Sequence, residues 1–131
     1  MQNKADTISP VSVSRALRGL DHVLVGGYAL AVHTGKPPAT MAVDMVVADV
    51  AKAELAIAKA FPSLVKMETP GEDVTRFRDM NGNEVINLLH PGAQFKKALT
   101  FSVMASVSGH PLRVASREAM SVAKFPSSKS R

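Results

Sequence analysis

Apolar and polar positions along the chain alternate in blocks that predict helices and strands in turn. The first helix follows Ser9-Pro10, a capping hydroxyl with a proline at the first helical position. Helical spacing gives it an apolar stripe of Val13, Ala16, Leu17 and Leu20. Further helices are predicted at 28–35, 50–61, 93–102 and 116–125. Short apolar or β-branched runs predict strands at 22–25, 42–48, 64–69, 74–80 and 83–89, and two more around Gly109.

One turn signal decides the sheet type. Asn81-Gly82 joins two of the strand-like runs and is the favoured pair for a two-residue type I′ hairpin. A loop of those two residues places three pairs opposite one another: Met80 with Asn83, Phe77 with Ile86 and Arg76 with Asn87. A hairpin is antiparallel, so a purely parallel sheet is excluded. The sequence predicts an α/β or α+β fold, with a mixed sheet flanked by helices.

Length and composition limit the number of domains, the chemistry and the partners that the chain can have. The 131 residues predict a single domain over 1–125 and a disordered basic tail over 126–131. The absence of cysteine excludes disulfides and thiolate chemistry, and with no leader-like or spanning segment we expect a cytoplasmic protein without membrane contact. The net charge of +5 allows phosphate-bearing partners. Nucleic-acid binding stays open, because aromatics are only 5% and no basic stripe contains them.

The bend at Gly26-Gly27 is the first candidate for chemistry. It lies between a predicted strand and a predicted helix, where glycines let a phosphate approach backbone amides and the helix N-terminus favours an anion. The same pair also serves as a tight turn packed on a sheet. It matches neither the dinucleotide fingerprint nor a P-loop, since no lysine follows.

The region from this bend to the next strand resembles the nucleotidyltransferase superfamily, and most closely minimal nucleotidyltransferases and abortive-infection-type toxin enzymes of bacteria. The matching positions are Gly26, Gly27, Ala29, His33, Gly35, Thr40 and Asp44. The resemblance implies a nucleotidyltransferase-like fold, with Gly26, Gly27 and Thr40 as nucleotide-binding residues. Arg76, across the hairpin from Asn87, is a further candidate for nucleotide binding or a partner of Asp44, with a solvated edge residue as the alternative. The resemblance also implies Asp44 as the catalytic residue, and Asp44 with Asn87 at the metal positions.

Two of the three carboxylates that the resemblance leads us to expect are missing. Ala42 stands two residues before Asp44, where the pattern has a second aspartate, and Asn87 stands where a third acid comes from the neighbouring strand. Residues at i and i+2 of a strand share a face, which is why a metal-binding pair has that spacing. One carboxylate supplies about −1 against about +4 for two Mg²⁺ ions. Asp44 as a purely structural acid stays an equal alternative.

The sequence therefore predicts a nucleotidyltransferase-fold protein that is catalytically impaired and retains nucleotide or phosphate binding. Two alternatives remain. The first is an active enzyme that transfers a nucleotidyl group from an NTP, with Mg²⁺, to a protein or RNA hydroxyl. The second is a non-catalytic interaction module of a toxin–antitoxin-like pair, with a protein partner. An inactive chain would need no cofactor.

Overall fold

A computed structural model describes residues 7–38, 42–67 and 72–122, without the side chains of 93–95 and 120–122. The helices are α1 (Pro10–Ala16), α2 (Gly26–Thr34), α3 (Val50–Ala60), α4 (Ala93–Thr100) and α5 (Arg117–Val122). The strands are β1 (His22–Val25), β2 (Val43–Val47), β3 (Val65–Met67), β4 (Val74–Arg78), β5 (Glu84–Leu89), β6 (Ser102–Val107) and β7 (His110–Ala115). The predicted tail lies outside these residues, so the domain boundaries stay a prediction.

All seven strands form one mixed sheet in the order β3-β4-β5-β2-β1-β7-β6. Strand β2 is central: it runs antiparallel to β1 and parallel to β5. Strands β1 and β7 are parallel, and the remaining neighbours are antiparallel. The predicted mixed sheet flanked by helices is confirmed.

Each face of the sheet has its own apolar core. One core joins β-strand side chains such as Leu24 and Met45 to residues of α1, α2 and α3. The other joins Val23, Val46 and Leu89 to Ala98 of α4 and Ala119 of α5. Alternate residues of a strand point to opposite faces, so β1 and β2 contribute to both cores. This explains why both strands are almost wholly apolar.

The helix ends follow the sequence signals. Ser9 caps α1 through a capping box with Ser12, Asp49 accepts the amide of Lys52 at the start of α3, and the Ser116 hydroxyl accepts the amide of Ala119. These side chains satisfy amides that the first helical turn leaves unpaired. No helix in the three described ranges is both long and apolar enough to cross a bilayer.

The β4–β5 hairpin is confirmed, but its predicted two-residue type I′ turn is wrong. Asp79 pairs with Asn83 instead, its amide donating to the Asn83 carbonyl over 2.9 Å, and three residues form the loop. Only Gly82 of the loop has a positive φ, 83°. The Asp79 carboxylate accepts the amides of Asn81 and Asn83, which stabilises a type I turn followed by a left-handed glycine.

This turn shifts the register at the tip by one residue, and a bulge between Phe77 and Arg78 shifts it back. The predicted pairs Phe77 with Ile86 and Arg76 with Asn87 are therefore present. A type I′ turn does occur elsewhere in the sheet. Ser108 and Gly109, with φ of 51° and 81°, join β6 to β7.

Asp79→Ala should lower the free energy of unfolding by about 1 kcal/mol, because two turn amides lose their acceptor. Asp79→Asn is the matched control: its amide oxygen accepts the same bonds, so we expect a loss below about 0.5 kcal/mol. Urea unfolding monitored by circular dichroism measures both. Equal losses for the two variants would show that the side-chain bonds do not hold the turn.

Candidate functional site

The bend after β1 lies directly against the carboxylate of Asp44. Gly26 has a φ of 72°, and a Cβ built on it would lie 2.3 Å from Asp44 Oδ2. No side chain fits at that distance, so glycine is required there for space as well as for conformation. The antiparallel register causes the contact, because it places Val25 opposite Asp44.

The carboxylate of Asp44 also lies at the N-terminal end of α2. The residue before the helix, Val25, provides no side-chain cap. A helix N-terminus carries a partial positive charge and stabilises an anion within its first turn. Asp44 therefore already places a negative charge where the sequence predicted a phosphate.

Three of the predicted site residues form a row across neighbouring strands. Asp44 of β2 is the partner of Asn87 of β5, and Asn87 is the partner of Arg76 of β4. Directly opposed residues share a face, and strands are about 4.8 Å apart, so the Cα atoms of Asp44 and Arg76 are roughly 10 Å apart. The sheet thus places the two predicted metal positions beside Arg76, the predicted phosphate contact.

Asn87 is buried and bonded to Asp44. Its side-chain nitrogen donates to Asp44 Oδ1 over 2.9 Å, and its residue exposure is 6%. Its Oδ1 is buried and has no hydrogen-bond partner in the described part of the chain. An amide at this position gives Asp44 a donor, whereas a second carboxylate would repel it.

Arg76 is held by two acids. It forms a short ion pair with Glu72, and its Nε lies 3.6 Å from Glu84 Oε2. The guanidinium side chain is 18% exposed. Any phosphate that binds Arg76 must therefore compete with carboxylates that already bind it.

The sequence predicts Glu84, close to the Asn81-Gly82 turn, at a solvated hairpin tip far from the glycine bend, and that prediction is wrong. Glu84 lies three residues from Asn87, which in a regular strand means the opposite face. The bulge in the β4–β5 pairing changes this parity, so Glu84 reaches Arg76 on the face of Asn87. The sequence signal for this position of Glu84 is Asp79 with Gly82, which together are compatible with a type I turn followed by a bulge.

Solved structures with a similar fold include three proteins that are named as nucleotidyltransferases or resistance factors. An antigenic nucleotidyltransferase-like protein from Paracoccidioides brasiliensis is 19% identical, with a TM-score of 0.56 over 89% of this chain and 62% of that one. The antibiotic-resistance factor ANT(2″)-Ia is 18% identical, with a TM-score of 0.61 over 82% and 63%. The lincosamide antibiotic adenylyltransferase LnuA is 9% identical, with a TM-score of 0.55 over 77% and 73%.

The fold is nucleotidyltransferase-like. No protein-family model matches the chain, and no curated protein matches it by sequence. The chain spans 62% and 63% of the length of the first two structures above. At these identities the likeness concerns the fold alone.

The donor atoms of Asp44 and Asn87 suit one divalent cation better than two. Asp44 offers a carboxylate and Asn87 an amide oxygen, both hard oxygen ligands that Mg²⁺ accepts. The described residues contain no group of three or more His, Cys, Asp or Glu placed to hold a metal. Ala42, at the position of the expected second aspartate, is 3% exposed and supplies no ligand. The residues present do not fit a pair of ions.

A cavity of about 600 Å³ lies beside the hairpin and is connected to the row through Glu84. Tyr28, Arg78 and Glu84 are among the residues that line it. Arg78 Nε and Glu84 Oε1 are buried without a hydrogen-bond partner in the described ranges. The volume lies within the range of small-ligand sites, and its polar atoms offer both a donor and an acceptor.

Three residues singled out by the sequence remain. Gly27 lies in the first turn of α2, beside Gly26. Thr40 lies outside the described residues. His33, which matches a position of the resemblance, has a structural contact: its Nε2 donates to the Ala115 carbonyl over 2.7 Å and ties the end of α2 to β7.

Gly26→Ala should destabilise the protein by about 1–3 kcal/mol more than Gly35→Ala, because the new methyl overlaps the Asp44 carboxylate. Gly35 is a matched control: its φ is 73°, and a Cβ there meets nothing within 4 Å. Chemical denaturation of both variants provides the comparison. In an Asp44→Ala background the extra penalty should shrink, and a penalty unchanged by that substitution would refute the steric cause.

Proposed function

We propose that this nucleotidyltransferase-like protein binds a nucleotide or other phosphate group weakly at the Gly26–Gly27 bend and is impaired in nucleotidyl transfer. The observation that carries the proposal is the contact between the Gly26 backbone and Asp44, with an amide rather than an acid bonded to that aspartate. The adenylyltransferase among the structural neighbours makes a nucleoside triphosphate the first ligand to test.

Geometry supports the binding half of the proposal. The bend, the start of α2 and Arg76 all lie at one end of the central strands, and the cavity beside Glu84 adjoins them. Backbone amides at a glycine bend can bind a phosphate, and Arg76 on the same face can bind one when Glu72 or Glu84 releases it. These features give a nucleotide a place to bind without any change of fold.

Electrostatics support weak binding. Asp44 and the phosphates are both anionic, and Arg76 is already paired with Glu72 and Glu84. A divalent cation between Asp44 and the phosphate oxygens would relieve the repulsion, and the Asn87 oxygen would be a neutral ligand to the same ion. Binding at this bend should therefore depend on Mg²⁺ and remain weak even with it.

The same charges support impaired transfer. Two-ion catalysis places one cation on the attacking oxygen and one on the leaving phosphate, with protein carboxylates holding both. Asp44 is the only one of the three expected carboxylates present, because Ala42 and Asn87 occupy the other two positions. The protein thus supplies about one negative charge against four positive charges.

One observation favours the active alternative. Glu84 lies on the site face, and its Oε1 is buried without a hydrogen-bond partner in the described residues. If Arg76 releases it, Glu84 adds a second carboxylate near Asn87. An enzyme of this type would use Asp44 and Glu84 in place of the usual set, so both residues belong in the activity test.

Isothermal titration with ATP tests the binding proposal. We expect a dissociation constant at or above about 1 mM with Mg²⁺, the weak end of the usual KM range, and weaker binding with EDTA. Asp44→Ala should remove the Mg²⁺ dependence. Micromolar, Mg²⁺-dependent binding would contradict an impaired site.

Radiolabel transfer from each α-labelled NTP tests the impairment. We expect wild type and Asp44→Ala to give the same background. Label transfer that is lost in both Asp44→Ala and Glu84→Gln would support the active alternative and refute impairment. Transfer that survives both substitutions would assign the activity to another site.

Restoring the missing acids should restore a cation site. Ala42→Asp with Asn87→Asp places three carboxylates on one face, so the variant should melt below wild type without metal and gain stability with Mg²⁺. At a Mg²⁺ concentration 100 times Kd the gain is about 2.7 kcal/mol. Thermal melts in EDTA and in Mg²⁺ measure it, and wild type should show little change.

The control adds Asp44→Ala to the restored pair and should abolish the Mg²⁺ response. Asn87→Asp alone provides a second measurement if the buried Ala42→Asp substitution prevents folding. A folded variant without any Mg²⁺ response would show that these positions do not converge on an ion.

A further inference from the structure

The two edges of the sheet differ in how they are protected. Strand β3 forms one edge with only three residues, and its central Lys66 pairs with Glu54 over 3.3 Å. Strand β6 forms the other edge with six residues, SVMASV, none of which is charged. Short strands and lysines block edge-to-edge pairing, whereas a long neutral edge permits it.

The outer side of β6 presents regularly spaced backbone groups. The Ser116 amide donates to the Phe101 carbonyl over 3.0 Å, which places residue 101 in a hydrogen-bonded pair with β7. Such pairs alternate along an antiparallel ladder, so residues 103, 105 and 107 also bond inward. The backbone N–H and C=O groups of Ser102, Met104 and Ser106 therefore point away from β7, where no strand of the described chain lies.

Apolar side chains flank this edge on both faces of the sheet. Val103 is 45% exposed and Met104 is 64% exposed, and consecutive residues of a strand lie on opposite faces. Phe101, at the start of the strand, is 56% exposed. A partner strand that continues the sheet would cover apolar surface above and below it.

We propose that the outer edge of β6 pairs antiparallel with β6 of a second copy of this chain, extending the sheet across a two-fold axis. Centring the axis on Met104 pairs Ser102 with Ser106 of the second copy and Met104 with its own counterpart. Every outward backbone group of the three residues then has a partner, two bonds for each pair. Such self-matching is what an isologous interface requires.

Charge does not oppose a second copy at this surface. The chain has a net charge of +5, so two copies repel each other over most orientations. Strand β6 contributes no charge to the contact, and the guanidinium of Arg113, which lies opposite Met104 in β7, is paired with Asp21. Two copies can therefore approach each other along β6 without repulsion between charged residues of the two strands.

The area buried between the two β6 strands sets the expected strength of the dimer. Six residues span about 20 Å and a sheet layer is about 10 Å thick, so each copy contributes on the order of a few hundred Å². A standard interface uses about 800 Å² from each partner. The dimer is accordingly weak, with a Kd of about 10 µM to 1 mM.

Sedimentation velocity across a concentration series tests the proposal. The wild-type chain should pass from monomer to dimer as concentration rises to about 1 mM. Met104→Lys should raise the dimer Kd at least about tenfold, because it places like charges opposite each other at the axis. Met80→Lys is the matched control: Met80 is 80% exposed on the β4–β5 hairpin, far from β6, and should leave the Kd unchanged.

A backbone variant separates strand pairing from simple apolar contact. Ser106→Pro removes one outward amide and no inward bond, so it should weaken the dimer while circular dichroism remains like that of wild type. Amide exchange by NMR supplies a second readout. The amides of Ser102, Met104 and Ser106 should gain protection with concentration, while that of Ala105 is protected throughout.

The proposal fails on any of three results. One is a chain that stays monomeric at about 1 mM. Another is a dimer that Met104→Lys leaves intact. The third is concentration-dependent protection without the alternate-residue pattern, which would place the interface elsewhere. None of these results bears on nucleotide binding, because Gly26 and Asp44 take no part in β6 pairing.

Discussion

The close approach of the Asp44 carboxylate to the Gly26 backbone is the constraint on which the site depends. It follows from the antiparallel pairing of β1 with β2, which sets Val25 opposite Asp44. Because β2 also pairs parallel with β5, the same register brings Asn87 beside that carboxylate. Bend, helix N-terminus, acid and amide are thus fixed together by two strand registers in the centre of the sheet.

Asn87 changes the energetics of this cluster more than its shape. A carboxylate at position 87 would lie beside Asp44, and two such anions are stable together only with a cation or a shared proton. The amide donates a hydrogen bond to Asp44 instead, so the pair is stable without metal. Stability and a charged metal site therefore conflict at this position, and the chain has the residue that favours stability.

Periodicity and the hairpin signal predicted the elements and the mixed sheet, whereas the convergence of Asp44, Asn87 and the bend was predicted from the family resemblance. The sequence prediction was wrong at the β4–β5 turn, because Asn-Gly is compatible with more than one turn type. The hydrogen bonds from the Asn81 and Asn83 amides to the Asp79 carboxylate stabilise the type that forms. The predicted position of Glu84 was wrong for the same reason. A bulge moves every residue between the bulge and the turn to the opposite face of the sheet. Ion pairs such as that of Arg76 with Glu72 depend on the geometry of a loop, which the spacing of residues in the sequence does not predict.

The persistence of the glycine bend beside an incomplete set of acids has a structural explanation. Any side chain at position 26 would overlap Asp44, and the backbone there has a positive φ, so glycine is required for packing whether or not a phosphate binds. Packing does not require a carboxylate at positions 42 and 87, since Ala42 is buried without one and Asn87 is hydrogen-bonded as an amide. In this chain the glycine bend is therefore explained by the packing of the sheet against α2, independently of which residues stand at positions 42 and 87.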